Sequence, residues 1–176
     1  MSQIILRESR GVLVTLEEGG LVRKTVRGLN KSRFSRKVDA KEMVDREIRA
    51  LQLLEGVRGM QQFVKRESND TFYTRYVSGT SLLKSPKNLS KEYFDKLFSI
   101  INEHQSRGIY RLSQSRRDFI VDDKGNPVII DFGNIIFNDD SVVRIPGAIS
   151  FAKLYSRLRV RDLRKKYISR NGYYSK

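Results

Sequence analysis

His104–Phe137 reads HQSRGIYRLSQSRRDFIVDDKGNPVIIDFGNIIF, and the order of local structures in this stretch decides the fold. A helix end, a tight loop, a strand, a reverse turn and a second strand are expected. Phe119-Ile120-Val121 and Val128-Ile129-Ile130 are short β-branched and aromatic runs, a composition that suits a pleated, half-buried surface. Asp122-Asp123-Lys124-Gly125-Asn126-Pro127 between them is turn chemistry, so the two runs predict a hairpin. The second strand carries Asp131-Phe132-Gly133 into a loop. A carboxylate at the end of a buried strand, followed by glycine, is a common way to hold a divalent metal against phosphate oxygens.

The 176 residues around this stretch suffice for one domain or for two small lobes with their own core. There is no cysteine, which excludes a disulfide framework and a thiolate zinc site and points to a reducing compartment. MSQIILRESRG at the start lacks the apolar run of a signal peptide, and no stretch reaches the apolar length of a membrane span. A soluble, cytoplasmic protein is expected. The net charge of +15 suits a polyanionic partner, whether nucleic acid, an anionic membrane surface or an acidic protein. From Phe151 onward there are nine Lys or Arg and one acid, Asp162, so this basic, aromatic tail supplies about half of the excess.

Upstream, Ile4-Ile5-Leu6, Gly11–Leu16 and Leu21–Val26 predict antiparallel strands, with Glu17-Glu18-Gly19-Gly20 as a hairpin turn. Lys24 alternates with Val22 and Val26, so all three share one face of the last strand. A lysine facing inward needs a partner. Gly28–Lys37 is a basic, polar loop, after which Asp39 and Glu42 form a capping-box pattern for a helix running to Glu55. Val44, Glu47, Leu51 and Leu54 fall on one face of that helix, and Glu47 is the candidate partner of Lys24. Gln62-Phe63-Val64 and Thr71–Val77 predict two further strands around a Ser68-Asn69-Asp70 turn.

Beyond Ser78-Gly79-Thr80 the pattern becomes mainly helical. Ser90–Gln105 places Phe94, Leu97, Ile101 and the single histidine, His104, on one apolar face, where histidine is more often packed core than a ligand. Asn138–Ser141 predicts a turn and Pro146-Gly147 a break. A basic helix over Ser150–Ile168 follows, with Phe151, Leu154, Tyr155 and Leu158 as its apolar side.

Five strands with a helix after the third, then a connector, a helix, a loop, a hairpin and Asp-Phe-Gly, resemble the eukaryotic-type protein-kinase fold in minimal form. The resemblance implies an α+β, bilobal chain. Residues 1–77 would form a five-stranded antiparallel lobe with one helix, 78–149 a small, mostly helical lobe, and 150–176 a basic helix and tail. It further implies that Lys24, held by Glu47, orients the α- and β-phosphates of ATP between the lobes. Asp131 would bind the bridging Mg²⁺ with Asp118 as a second ligand, and Tyr76 and Val77 would offer backbone contacts to adenine.

Two departures from the family pattern stand out. Counting back from Asp131, the family's His-Arg-Asp falls on Arg111-Leu112-Ser113, so Ser113 occupies the catalytic aspartate's place and Asp118 that of the metal-binding asparagine. The first hairpin also has only Gly11 where a glycine-rich loop is usual. Serine cannot accept the substrate hydroxyl's proton as a carboxylate does, and general-base help is worth about 10²- to 10⁴-fold in rate. Among kinase-like families the chain resembles lipopolysaccharide-core sugar kinases, RIO-type kinases and the kinase-like proteins of bacterial PhoP regulatory networks. Three readings follow. One is a kinase acting on a hydroxyl of a lipopolysaccharide-core sugar or a protein serine, drawn by its basic tail to a lipopolysaccharide precursor or the inner membrane face. Another is a pseudokinase serving as a regulatory or binding platform. The third is a nucleic-acid-binding module, against which the chain lacks an aromatic-rich basic strand motif and a helix-turn-helix.

Overall fold

The computed structural model describes residues 4–9, 11–27, 39–85, 89–111, 115–133, 135–144 and 146–168. The chain forms two compact units: one runs to Glu55 and resumes over Gln61–Val77, the other takes Gly56–Met60 and everything from Ser78.

The first unit contains β1 (Ile4–Ser9), β2 (Val12–Glu17), β3 (Leu21–Val26), α1 (Ala40–Leu53), β4 (Phe63–Arg66) and β5 (Thr71–Arg75). The strands form one antiparallel sheet in the order β1-β2-β3-β5-β4. The expected five-stranded sheet with one helix is therefore present. The β2–β3 turn works because Gly19 and Gly20 both take left-handed φ, +73° and +69°, which a side chain would resist. β3 is the middle strand: Lys24 lies opposite Val14 of β2 and Phe72 of β5. Val22 and Val26 are buried on the face predicted for them. α1 buries Val44, Glu47 and Leu51, and Leu54 just beyond its end, as the spacing predicts.

The capping-box reading is corrected. Asp39 is the N-cap in extended conformation, but its side chain makes no cap hydrogen bond; its backbone carbonyl accepts from Met43 N at 3.1 Å. α1 also stops at Leu53, two residues before the expected Glu55, with Gly56 at φ +80° just beyond. The Gly28–Lys37 loop lies outside the described residues.

The second unit contains β6 (Thr80–Ser81), α2 (Lys91–Ser106), β7 (Ile109–Arg111), β8 (Phe119–Val121), β9 (Pro127–Ile129), β10 (Ile135–Phe137), a 3-10 turn over Ser141–Arg144 and α3 (Ala148–Ile168). The predicted hairpin is β8–β9, with β6 added to its free edge, while β7 pairs with β10. β6, β7 and β10 are too short to carry a sequence period, and pairing alone defines them. Ser90 caps α2 by accepting from Tyr93 N. Phe94, Leu97, Ile101 and His104 then face a core completed by Phe119 and Phe132.

The apolar side assigned to the last helix is wrong. α3 packs through Ala152, Ser156, Val160, Leu163 and Tyr167, whereas Phe151, Leu154 and Leu158 are exposed. Small side chains at Ala152 and Ser156 let the helix backbone approach its neighbours closely. Ser156 Oγ donates to the carbonyl of Arg111 at 3.4 Å, and the Tyr167 hydroxyl donates to the carbonyl of Leu82. Hydrogen bonding to β7 thus competes successfully with the bulkier stripe for the inner side. Among the described residues no helix is long and apolar enough to cross a membrane.

Candidate functional site

In the first unit, Lys24 projects from the middle strand on the face of Val22 and Val26. Its Nζ lies 2.7 Å from both Oε1 and Oε2 of Glu47. The lysine side chain is 14% exposed and the glutamate side chain 6%. Charges so far removed from water persist only when paired with good geometry. The symmetric bridge to both carboxylate oxygens fixes the position of the ammonium on the central strand. Tyr76 and Val77 follow β5. The Tyr76 amide donates to Gly20 O at 2.8 Å. Tyr76 can therefore offer a ligand its carbonyl, while that amide is committed to the β2–β3 turn.

In the second unit, Asp131 follows β9 in a left-handed conformation, φ +66°, the single non-glycine residue of positive φ among the described residues. Aspartate tolerates this region better than most side chains, but the conformation is held against an intrinsic cost of about 1–3 kcal/mol. Gly133 N donates to Asp131 Oδ1 at 3.1 Å, which orients the carboxylate across the Asp-Phe-Gly turn. Phe132 is buried, its ring 5.8 Å from that of His104. Asp118 is linked to the same turn through the main chain, since Ile130 N donates to Asp118 O at 2.8 Å.

Arg111 is the residue the sequence reading left without a role. It is buried at the end of β7, and its Nη2 donates to Asp118 Oδ2 at 3.2 Å. Ser115 N donates to the same oxygen at 3.0 Å. The guanidinium carbon also lies 5.1 Å from the centre of the Phe132 ring, a cation–π arrangement. The motif count already placed Arg111 where histidine is usual; that position was the available signal, but its pairing with Asp118 needed the fold. Ser113 lies outside the described residues.

His104 is packed core. Its Nε2 is 2.9 Å from Met60 Sδ, and burial, followed by the nearby Arg111 and Arg107 charges, pushes its pKa down to about 3. It is neutral at any ordinary pH. No group of three or more His, Cys, Asp or Glu able to hold a metal occurs among the described residues. Asp131 and Asp118 match the one or two carboxylates that Mg²⁺ uses when phosphate oxygens and water complete its shell.

No family model matches this chain. The CBL-interacting serine/threonine-protein kinase 16 of Arabidopsis thaliana is 27% identical over 101 residues, covering 52% of this chain and 22% of that protein. The crystal structure of the Rio2 kinase from Chaetomium thermophilum aligns with a TM-score of 0.70 at 13% identity, over 99% of this chain and 60% of that one. The Rio2 kinase–ADP/Mg²⁺–phosphoaspartate complex from the same organism aligns at 0.66 with 16% identity, over 99% and 57%. The chain thus spans about a fifth of the curated relative and under two thirds of each Rio2 chain. With a five-stranded antiparallel sheet and three α-helices among the described residues, it has a minimal protein-kinase-like fold.

Proposed function

We propose that this chain binds ATP together with Mg²⁺. The observation that carries the reading is the near-buried Lys24–Glu47 bridge, with Nζ 2.7 Å from both carboxylate oxygens on the central strand. Lys24 orients the α- and β-phosphates, held in place by Glu47. Tyr76 and Val77 meet adenine through the backbone, the Tyr76 contribution being its carbonyl. Asp131 is the principal carboxylate for the ion. Mg²⁺ held there would supply positive charge against the phosphates. Asp118 contributes less than the family pattern implies, because Arg111 and Ser115 N already hold its Oδ2.

Two outcomes of nucleotide binding are distinguished by the acceptor. In the enzymatic form, phosphate passes to a hydroxyl, on a lipopolysaccharide-core sugar or a protein serine. With Ser113 in place of a catalytic carboxylate, this transfer is slower by about 10²- to 10⁴-fold than in a kinase with an intact base. The second reading is a pseudokinase platform in which binding alone has the regulatory effect. The Arg111–Asp118 pair favours it, since a resident guanidinium stands against the second carboxylate. The anionic partner of the basic segment is a phosphorylated glycolipid or the inner membrane face.

Thermal unfolding with and without ATP and Mg²⁺ tests the shared claim. Ligand at about 100 times its dissociation constant adds roughly 2.7 kcal/mol of stability. The gain should vanish in Lys24→Met and lose its Mg²⁺ dependence in Asp131→Asn. A chain that gives no shift with any nucleotide ends the proposal. Labelled-ATP assays then separate the readings: transfer abolished by both substitutions establishes the enzyme, and saturable binding without transfer establishes the platform.

A further inference from the structure

α3 has two apolar faces, and folding uses one of them. At about 100° per residue, Ala152, Ser156, Val160, Leu163 and Tyr167 span an arc of roughly 80°. These are the buried positions of the helix. Phe151, Leu154 and Leu158 lie about 140–160° from the middle of that arc, on the outer side of the helix. They are 65%, 55% and 47% exposed, and Phe151 stacks on Tyr155 with ring centres 6.3 Å apart. Arg161 and Lys165 continue the line of this ridge, with Arg157 and Arg164 along one flank and Arg159 and Lys166 along the other. The helix carries seven Lys or Arg against one acid, Asp162.

We propose that this outer face of α3 seats the chain on an anionic phospholipid bilayer. The ridge enters the headgroup–acyl boundary while the flanking cations meet lipid phosphates. A helix of this kind binds through buried apolar area together with attraction to anionic lipid. Nucleic acid is the poorer match: phosphate contacts would engage the cations but leave a phenylalanine and two leucines outward without a role. The helix is anchored to the second unit by its opposite face, so the ridge is presented by a folded element. This makes the anionic partner named above specific, and it stands apart from nucleotide binding.

Sedimentation of the full chain with phosphatidylcholine vesicles, with and without phosphatidylglycerol, tests the assignment. Binding should require the anionic lipid and fall with salt. The exposed-ridge variant Phe151→Ser/Leu154→Ser/Leu158→Ser should lose about tenfold in partitioning, as scaling with buried apolar area demands. Its unfolding transition and its response to ATP should match the parent chain, so failure of the nucleotide reading leaves this test intact. In Phe151→Trp, the new indole emission should shift to the blue on anionic vesicles. The proposal is overturned by no binding to either vesicle, by undiminished binding of the triple variant, or by an unshifted emission. It is equally overturned if the triple variant loses affinity for duplex DNA and neither protein binds lipid.

Discussion

His104 should make the protein lose stability in mild acid, and the structure sets how much. The imidazole is about 1% exposed against Met60 and Phe132, with a pKa pushed from 6.5 to about 3 by burial and then by Arg111 and Arg107. Between those values the unfolded chain takes up a proton that the folded chain refuses, so stability falls as pH falls. The effect is absent above the unfolded pKa and complete below the folded one. Integrating from pH 7.5 to pH 5 gives a loss of about 2 kcal/mol, and the whole window corresponds to roughly 5 kcal/mol at 1.36 kcal/mol per pH unit. Asp45, Glu67, Asp70 and Glu92 have lowered pKa values through hydrogen bonds to Lys41, Arg23, Ser68 and Lys96 respectively. They too lose stabilisation as pH falls, but through the carboxylate range, so the interval from pH 7.5 to 5 isolates the histidine. Urea unfolding of the parent chain and His104→Leu across that interval reads the difference. The parent should lose about 2 kcal/mol more than the variant. Parallel pH profiles would show that His104 protonates in the folded protein, and the burial argument would fail.

Two further pairs of substitutions probe the buried ion pairs. Glu47→Gln, which takes the carboxylate from Lys24, should destabilise by about 3–5 kcal/mol, and adding Lys24→Met should recover most of that loss. Chemical denaturation of the single and double variants measures the coupling, and simple additivity would deny the bridge its structural part. Arg111→Leu should cost a similar amount, about 3–5 kcal/mol, because a buried carboxylate loses its cation; Asp118→Asn in the same chain should restore stability. If instead Arg111→Leu sharpens the Mg²⁺ dependence of nucleotide binding, Asp118 is a metal carboxylate that the arginine normally occupies.

Much of the fold was legible in the residues because it rests on local chemistry. Gly19-Gly20 and Gly125 mark turns through left-handed backbone, and β-branched runs mark β3, β8 and β9. Period-2 alternation put Lys24 on the inner face of its strand, and helical spacing put Glu47 within the buried stripe of α1. Each position follows from geometry internal to one element, and one interaction joined the two. The same reasoning applied to α2 placed His104 in the core, where the structure has it.

The opening stretch, His104–Phe137, shows where local reading stops. Its hairpin and its Asp-Phe-Gly turn were visible in the residues, but the left-handed φ of Asp131 and the pairing of Arg111 with Asp118 were not. Neither a backbone dihedral nor the pairing of two side chains seven residues apart is recorded by a hydrophobic period. α3 makes the point most sharply. Its residues define two apolar stripes, and spacing alone cannot say which one meets the protein. Bulk favoured Phe151, Leu154 and Leu158. Close approach at Ala152 and Ser156, with hydrogen bonds from Ser156 to Arg111 and from Tyr167 to Leu82, decided for the other. Residue chemistry determined that α3 would be an amphipathic basic helix, and tertiary packing determined which apolar face remained outside.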